Sequence, residues 1–321
     1  MAATLRELRG RIRSAGAIKK ITKAQELIAT SRIARAQARL HSARPYAAEI
    51  TNMLTTLADE AALDHPLLIR REPARRAGVL VVSSDRGLCG GYNSGVQRST
   101  EGEVKADVLA GRDYVIIPVG RKAEGYFRFR GYHLGQAFNG FSDQPTYAAA
   151  RAIGEYVVDL YTSGEVDSVE LVYTRFVSAG TQEVVLRPLV PLHGETITGG
   201  DGRAASADGA EGAGGQYEFE PDPTTILDSL VPRYIEARIY AALLNAAASE
   251  HAFRQRAMKA ATDNAEELIK SLSRIMNRAR QDSITTEIME IVSGAEALDS
   301  DSTALPYIEL GDLYASATPG A

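Results

Sequence analysis

Apolar residues at helical spacing dominate both ends of the chain. From Ile33 the positions Ala36, Leu40, Ala43, Ala47, Ile50, Leu54, Leu57 and Ala61 alternate steps of three and four, the spacing of a coiled-coil seam. Near the other end Ala261, Ala265, Leu268, Leu272, Ile275 and Ala279 follow the same rule. The first pattern predicts a helix within residues 1–61. The second predicts one over 232–294, where Pro232 suits a first helical turn and Gly294 a C-terminal end. At 1.5 Å per residue the second helix would rise roughly 90 Å. A compact chain of this length has a radius of gyration of only ~20 Å. The helix is therefore expected to project and to pair, antiparallel, with the first. Pro45 is expected to bend the first helix or to begin a new one.

One stretch of the first helix fits two registers. Carrying the seam back from Ala29 gives Glu26, Thr22 and Lys19 before apolar residues return at Ala15, Ile12, Leu8 and Leu5. Moving it by one residue brings in Ile18, Ile21 and Ile28 instead, with Gln25 among them. Either way the seam is weak there, as suits a segment touched by other proteins.

Between the two helical ends the period changes. Ala77 to Asp85 is a continuous run of β-formers, the pattern of a strand buried on both faces. Tyr114 to Gly120 reads as a second strand, and Val169 to Val177 with Gln182 to Leu192 as a strand pair. Helices are expected over Ser94 to Ala110, Arg121 to Gly131 and Thr146 to Thr162. Alternation of strands and helices defines an α/β domain over 77–192 with a largely parallel sheet. Two segments stand apart. Residues 194–216 hold eight glycines and are expected to form a flexible insertion. Residues 295–321, which contain Pro306 and Gly311, are expected to form a low-order tail, although Tyr307, Ile308, Leu310, Leu313 and Tyr314 could dock.

Composition narrows the function. The chain has 321 residues, 45% hydrophobic, with one cysteine, which suits a reducing compartment. The N-terminus enters an amphipathic pattern directly, and no run reaches the ~18 apolar residues that span a bilayer. Net charge is −5, yet residues 1–44 hold eleven Lys and Arg against two acids, Glu7 and Glu26. Such a basic helix fits an acidic protein partner, a membrane surface or nucleic acid; aromatic and amide base readers are too few for the last.

Candidate chemistry is sparse. Asp85 to Asn93, DRGLCGGYN, follows a strand as a phosphate-binding turn would, but lacks the G-x-G-x-x-G spacing, and the chain contains no Gly-Lys pair for a P-loop. A tight structural turn is the better reading, with Cys89 a small buried residue in it. His41, His65, His133, His193 and His251 show no metal-ligand spacing. No catalytic residue, cofactor site or metal site is expected. The polar run Asn277 to Glu287 reads either as a solvated helix face or as contacts to an enclosing protein.

KKITKAQELIATSRIARAQ near the start, SSDRGLCGGYN in the middle, and SEHAFRQRAMKAATDNAEELIKSL with NRARQDSITTEIMEIVSGA near the end together resemble the gamma subunits of F-type, proton-translocating ATP synthases. The resemblance spans about residues 1–295 and implies a long antiparallel coiled coil formed by the two chain ends plus a small Rossmann-like α/β domain. It implies a rotor shaft, non-catalytic, turning inside three alpha and three beta subunits and seated with an epsilon subunit on a ring of c subunits. By motif position, Arg280, Gln281, Thr285 and Glu287 match residues that meet the beta-subunit catch loop. Lys19, Lys20 and Lys23 match the portion facing acidic beta-subunit loops. The family usually has methionine where this chain has Gln25, Leu27 and Ile33. Insertion 194–216 and residues 298–321 are further departures; the tail reads either as a brake on ATP hydrolysis or as an unordered appendix. The absence of a targeting peptide favours a bacterial complex, peripheral on the cytoplasmic side of the cell membrane, over an organelle import precursor.

Overall fold

The computed structural model describes residues 2–60, 65–192 and 223–302. The glycine-rich insertion and the tail from residue 303 lie outside the described residues. The elements run α1 (Ala2–Glu60), β1 (Arg76–Val82), α2 (Tyr92–Leu109), β2 (Asp113–Val119), α3 (Arg121–Phe129), α4 (Tyr147–Thr162), β3 (Ser168–Phe176), β4 (Gln182–Val190) and α5 (Pro223–Ser302). The chain divides into two compact units, Met1–Lys20 with Thr262–Ala321, and Ile21–Ala261.

The larger unit is built on a sheet in the order β2-β1-β3-β4. β1 pairs parallel with β2 and with β3, while β4 returns antiparallel to β3 as an edge hairpin strand. The uninterrupted apolar run of β1 is explained by its central place. Leu80 and Val82 point to one face, and Val79 and Val81 to the other. On the second face Val96 and Val104 of α2 and Ala123 and Phe127 of α3 close a small core. On the first, Ile153 and Val157 of α4 meet Ile50, Leu54 and Leu57 of α1 and the stretch from Leu227 to Ala246 of α5. The lower turns of both long helices are thus part of the sheet domain's own core. Truncating a side chain such as Leu80, fully buried, would cost about 2–5 kcal/mol.

Of the two outcomes expected at Pro45, a new helix does not begin there, and the limits of α5 differ from those expected. α1 runs unbroken through Pro45. α5 begins at Pro223 rather than Pro232, which lies inside it, and continues past Gly294 to Ser302. Flanking residues of high helix propensity and tertiary packing outweigh one proline and one glycine. The seam of α1 keeps the polar register: Thr22, Glu26 and Ala29 are buried, whereas Ile18 and Ile21 are 53% and 62% exposed. The seam of α5 keeps Ala265 and Leu272 as expected, while its alternate rungs fall one residue later. Thr262, Ala265 and Leu272 are buried and Ile269 and Met276 half-buried, while Leu268 and Ile275 are exposed. Thr262, a polar residue, holds the inner position in place of the apolar Ala261. In the smaller unit Leu8 and Ala15 of α1 are buried, and Lys19 Nζ meets Glu266 Oε2 at 3.0 Å.

Gly120, between β2 and α3, has φ +95, and a Cβ there would stand 2.5 Å from the Ser83 carbonyl oxygen. Gly102, within α2, has open space around it. Gly120→Ala should therefore destabilise the full chain by roughly 2 kcal/mol or more, whereas Gly102→Ala should stabilise it by about 0.5–1 kcal/mol through helix propensity. Urea titration of the two variants checks both signs.

Candidate functional site

In an open doubly wound sheet the ligand crevice lies outside the carboxyl ends of the strands, where the strand order reverses. Here that place is beyond β1 and β3, and α5 fills it. Asn245 Oδ1 accepts the backbone N–H of Phe176 at 3.2 Å, and Ser249 Oγ donates to the Thr174 carbonyl at 3.1 Å. One turn on, Arg254 Nη2 donates to the Gly87 carbonyl at 3.3 Å, and the Phe253 ring packs on Tyr92 with centroids 5.9 Å apart. Ala257 lies so close to Gly90 that a Cβ there would be 3.6 Å away. The glycine-rich turn therefore receives a helix of its own chain.

The turn is braced from within. Asn93 Oδ1 accepts the Ser84 N–H at 3.0 Å, and Asn93 Nδ2 donates to Cys89 Sγ at 3.1 Å. Cys89 is buried, and that burial pushes its thiol up from the ordinary range, the wrong direction for a nucleophile. Asp85 faces the other way. Its Oδ2 accepts the N–H groups of Gly140 and Ser142 at 2.9 and 3.0 Å, and its own N–H bonds Ser142 Oγ at 2.9 Å. Asp85 thus fixes the segment that carries Asp143.

Asp143 gathers charge from three stretches of chain. Its Oδ2 lies 2.5 Å from Arg32 Nη1 of α1 and 3.5 Å from Arg86 Nη1 of the turn, and its Oδ1 is 3.9 Å from Arg254 Nη1 of α5. Arg254 also bonds Glu250 Oε1 at 2.5 Å, with the Glu250 side chain only 1% exposed. Partial burial pushes Asp143 up, but Arg32, His251 and Arg254 outweigh it and hold the carboxyl below its ordinary value. Burial pushes Glu250 up, partly offset by Arg254. His251 Nε2 sits 3.3 Å from the Asp143 carbonyl and Nδ1 3.4 Å from Arg254 Nη1. Since arginine can only donate, Nδ1 accepts and Nε2 carries the proton. Burial lowers His251 to about 4, so it is neutral near pH 7.

The residues matched by motif position lie elsewhere, on the long helices. Arg280, Gln281, Thr285 and Glu287 are exposed on α5, and Thr285 Oγ1 donates back to the Gln281 carbonyl at 3.0 Å. From Glu287 to Leu298 every side chain is exposed, including Ile288, Met289, Ile291, Val292 and Leu298. On α1, Lys20 is exposed, Lys19 faces Glu266, and Lys23 Nζ lies 3.1 Å from Glu26 Oε2 within one turn. Asp143, Glu250, His251 and Arg254 escaped sequence reasoning as a group, because nothing in their spacing brings residue 143 beside residue 250. The signal available was local: Glu250 and Arg254 at i, i+4, with His251 between them.

The larger unit is a doubly wound α/β domain whose ligand crevice is closed by a helix of the same chain. The family model described as ATP synthase matches residues 4–298. The ATP synthase gamma chain of Mycolicibacterium smegmatis is 54% identical, the match covering 93% of this chain and 99% of the relative. That of Mycobacterium tuberculosis strain H37Rv is 55% identical with the same coverage. Among solved structures, a chain of the Euglena gracilis mitochondrial ATP synthase (OSCP/F1/c-ring) superposes with a TM-score of 0.66 at 16% identity, covering 96% of this chain and 99% of that one. A chain of the Tetrahymena thermophila mitochondrial ATP synthase central stalk/c-ring structure gives 0.54 at 24% identity, over 75% and 99%. The chain belongs to the ATP synthase gamma chain family. Among the described residues no helix is long and apolar enough to cross a membrane.

The polar cluster carries a pH signature. An unfolded histidine titrates near 6.5, and His251 folded near 4. Protonation therefore favours the unfolded chain, and stability present above pH 6.5 should fall away as pH drops toward 4, joined by the loss of the Asp143 contribution as that carboxylate protonates. Glu250, raised in the fold, works in the opposite sense. Urea midpoints of the wild type and of His251→Gln, measured from pH 7.5 to 4.5, should converge as pH falls.

Proposed function

We infer that the chain is the central rotor shaft of an F-type ATP synthase, coupling rotation of a c-subunit ring to conformational change in three catalytic beta subunits. It is non-catalytic: ATP chemistry belongs to beta, and this chain supplies the asymmetric surface that gives three otherwise equal sites different free energies. Its partners in this reading are three alpha and three beta subunits, an epsilon subunit and the c ring. The assembly is membrane-associated, with this chain peripheral on the cytoplasmic side of a bacterial cell membrane.

The observation that carries this reading is the far end of α5. Five large apolar side chains between Ile288 and Leu298 stand exposed, a pattern expected of a surface that another protein covers. Just before them Arg280, Gln281, Thr285 and Glu287 supply polar groups on the same exposed helix, and we assign them contacts to beta. Lys19, Lys20 and Lys23 are assigned to acidic loops of beta. The Lys23–Glu26 pair lies partly open to water, and such a pair contributes under ~1 kcal/mol, so an incoming carboxylate competes with it easily.

Co-expression with alpha and beta subunits should yield a particle of three alpha, three beta and one copy of this chain by native mass, whose ATP hydrolysis depends on the chain. The paired Arg280→Ala and Gln281→Ala variant should assemble normally yet hydrolyse ATP at least about threefold more slowly, because each lost contact removes on the order of 1 kcal/mol. Activity independent of the chain would overturn the reading.

A further inference from the structure

We propose that the ion-pair cluster of Arg32, Asp143, Glu250 and Arg254 is the load-holding joint of the shaft, the place where turning force passes between the α/β body and both long helices. This rests on the rotor reading and adds to it a set of positioning residues that touch neither nucleotide nor the helix-end contacts to beta.

Three observations carry it. First, the cluster is the polar junction of three pieces of chain: Arg32 from α1, Asp143 from the segment held by Asp85, and Glu250 with Arg254 from α5. Arg32 and Arg254 lie within about three turns of the residues, Ile21 and Ala261, at which the two helices leave the larger unit. Second, the remaining contacts of α1 with the sheet domain are mostly apolar, through Ile50, Leu54 and Leu57, whereas α5 adds to its apolar stretch from Leu227 to Ala246 directed bonds from Asn245, Ser249 and Arg256 to β3 and the turn after it. Apolar burial has no direction; packed surfaces resist separation more than sliding. Arg32 to Asp143 at 2.5 Å ties α1 to the body, and Arg254, held in place by Glu250 of its own helix, ties α5 to it through the Gly87 carbonyl at 3.3 Å and Asp143 at 3.9 Å; these contacts have a defined geometry and oppose sliding along the helix axis and about it.

Third, the pair is poorly suited to stability alone. Glu250 is 1% exposed and Arg254 9%. Burying two charges forfeits their hydration, and apolar residues of similar volume commonly serve stability as well or better. What such a pair supplies is a single allowed arrangement. Gly87 and His251 reinforce it, each taking one of the remaining arginine N–H groups.

The test uses the whole synthase in inverted membrane vesicles, with ATP hydrolysis and ATP-driven proton uptake measured on the same sample. Two replacements are made, Arg32→Gln, and Glu250→Gln together with Arg254→Met. With the gradient dissipated the shaft turns unloaded, and both variants should hydrolyse ATP at the wild-type rate. Under load the ratio of protons pumped to ATP hydrolysed should fall at least about threefold, within the span of coupling changes that single contacts produce. Arg32→Lys, which keeps a cation facing Asp143, should retain most of the wild-type ratio, which a merely packed residue would not require. If the Glu250 and Arg254 replacement prevents assembly, the half-exposed Arg32 variant decides. An unchanged ratio in an assembled variant overturns the joint. Hydrolysis indifferent to omission of the chain would instead overturn the rotor reading on which the joint rests.

Discussion

The contact between Arg254 and Glu250 is the constraint around which the molecule is arranged. A buried guanidinium needs acceptors on most sides, and here it finds a carboxylate one turn back on its own helix, the Gly87 carbonyl, the His251 ring and, across 3.9 Å, Asp143. Each of those partners comes with its own backbone requirement. Gly87 brings the tight turn after β1, in which Leu88 takes φ 63, and Asp143 brings the segment that Asp85 holds. Remove the arginine and a buried acid is left without its counter-charge, several times more damaging than losing an exposed pair. α5 is thereby committed to the carboxyl ends of the sheet.

The helix pair is built on a different compromise. Its seam repeats in steps of three and four, yet Lys19, Thr22 and Glu26 hold inner positions on α1 while Ile18, Ile21, Leu27 and Ile28 face outward. On free-energy grounds a lone coiled coil would choose the other register, since each exposed isoleucine forgoes about 1.5–3 kcal/mol of burial. The choice makes sense when the outer face also has a protein surface to meet. Polar groups then sit where the two helices can pair them, as Lys19 does with Glu266, and apolar groups where a partner excludes water. A seam of this kind is held more weakly by its own chain and more strongly by its surroundings.

Much of the architecture was legible in the sequence because it rests on local periodicity. The uninterrupted β-formers of β1, the alternation of strands and helices and the two long helical ends each follow from residues close together in the chain. Helix limits were not legible: Pro232 and Gly294 are strong signals in isolation, and packing of Leu227 and Val231 beneath the sheet carries α5 through the first of them. In α5 only the alternate rungs of the seam were hidden, since Thr262 is buried in a position that pattern reading reserves for apolar residues, while Ala265 and Leu272 are buried as their spacing predicts. The polar cluster lay furthest from view. Its members are 32, 143, 250 and 254 in order, and only the tertiary fold brings Asp143 between two helices that begin and end the chain. Arg280, Gln281, Thr285 and Glu287 were marked by motif resemblance alone, and the structure leaves all four exposed on α5.

A sheet of this topology ordinarily leaves its crevice open to a small molecule, whose concentration then decides how often it is occupied. Here the occupant is Asn245 to Arg254, joined covalently to the same chain. Tethering replaces a bulk concentration by a fixed and high effective one, so no metabolite can titrate the crevice by competing from dilute solution. The fold has exchanged responsiveness for permanence: what was a receptor geometry has become a mortise.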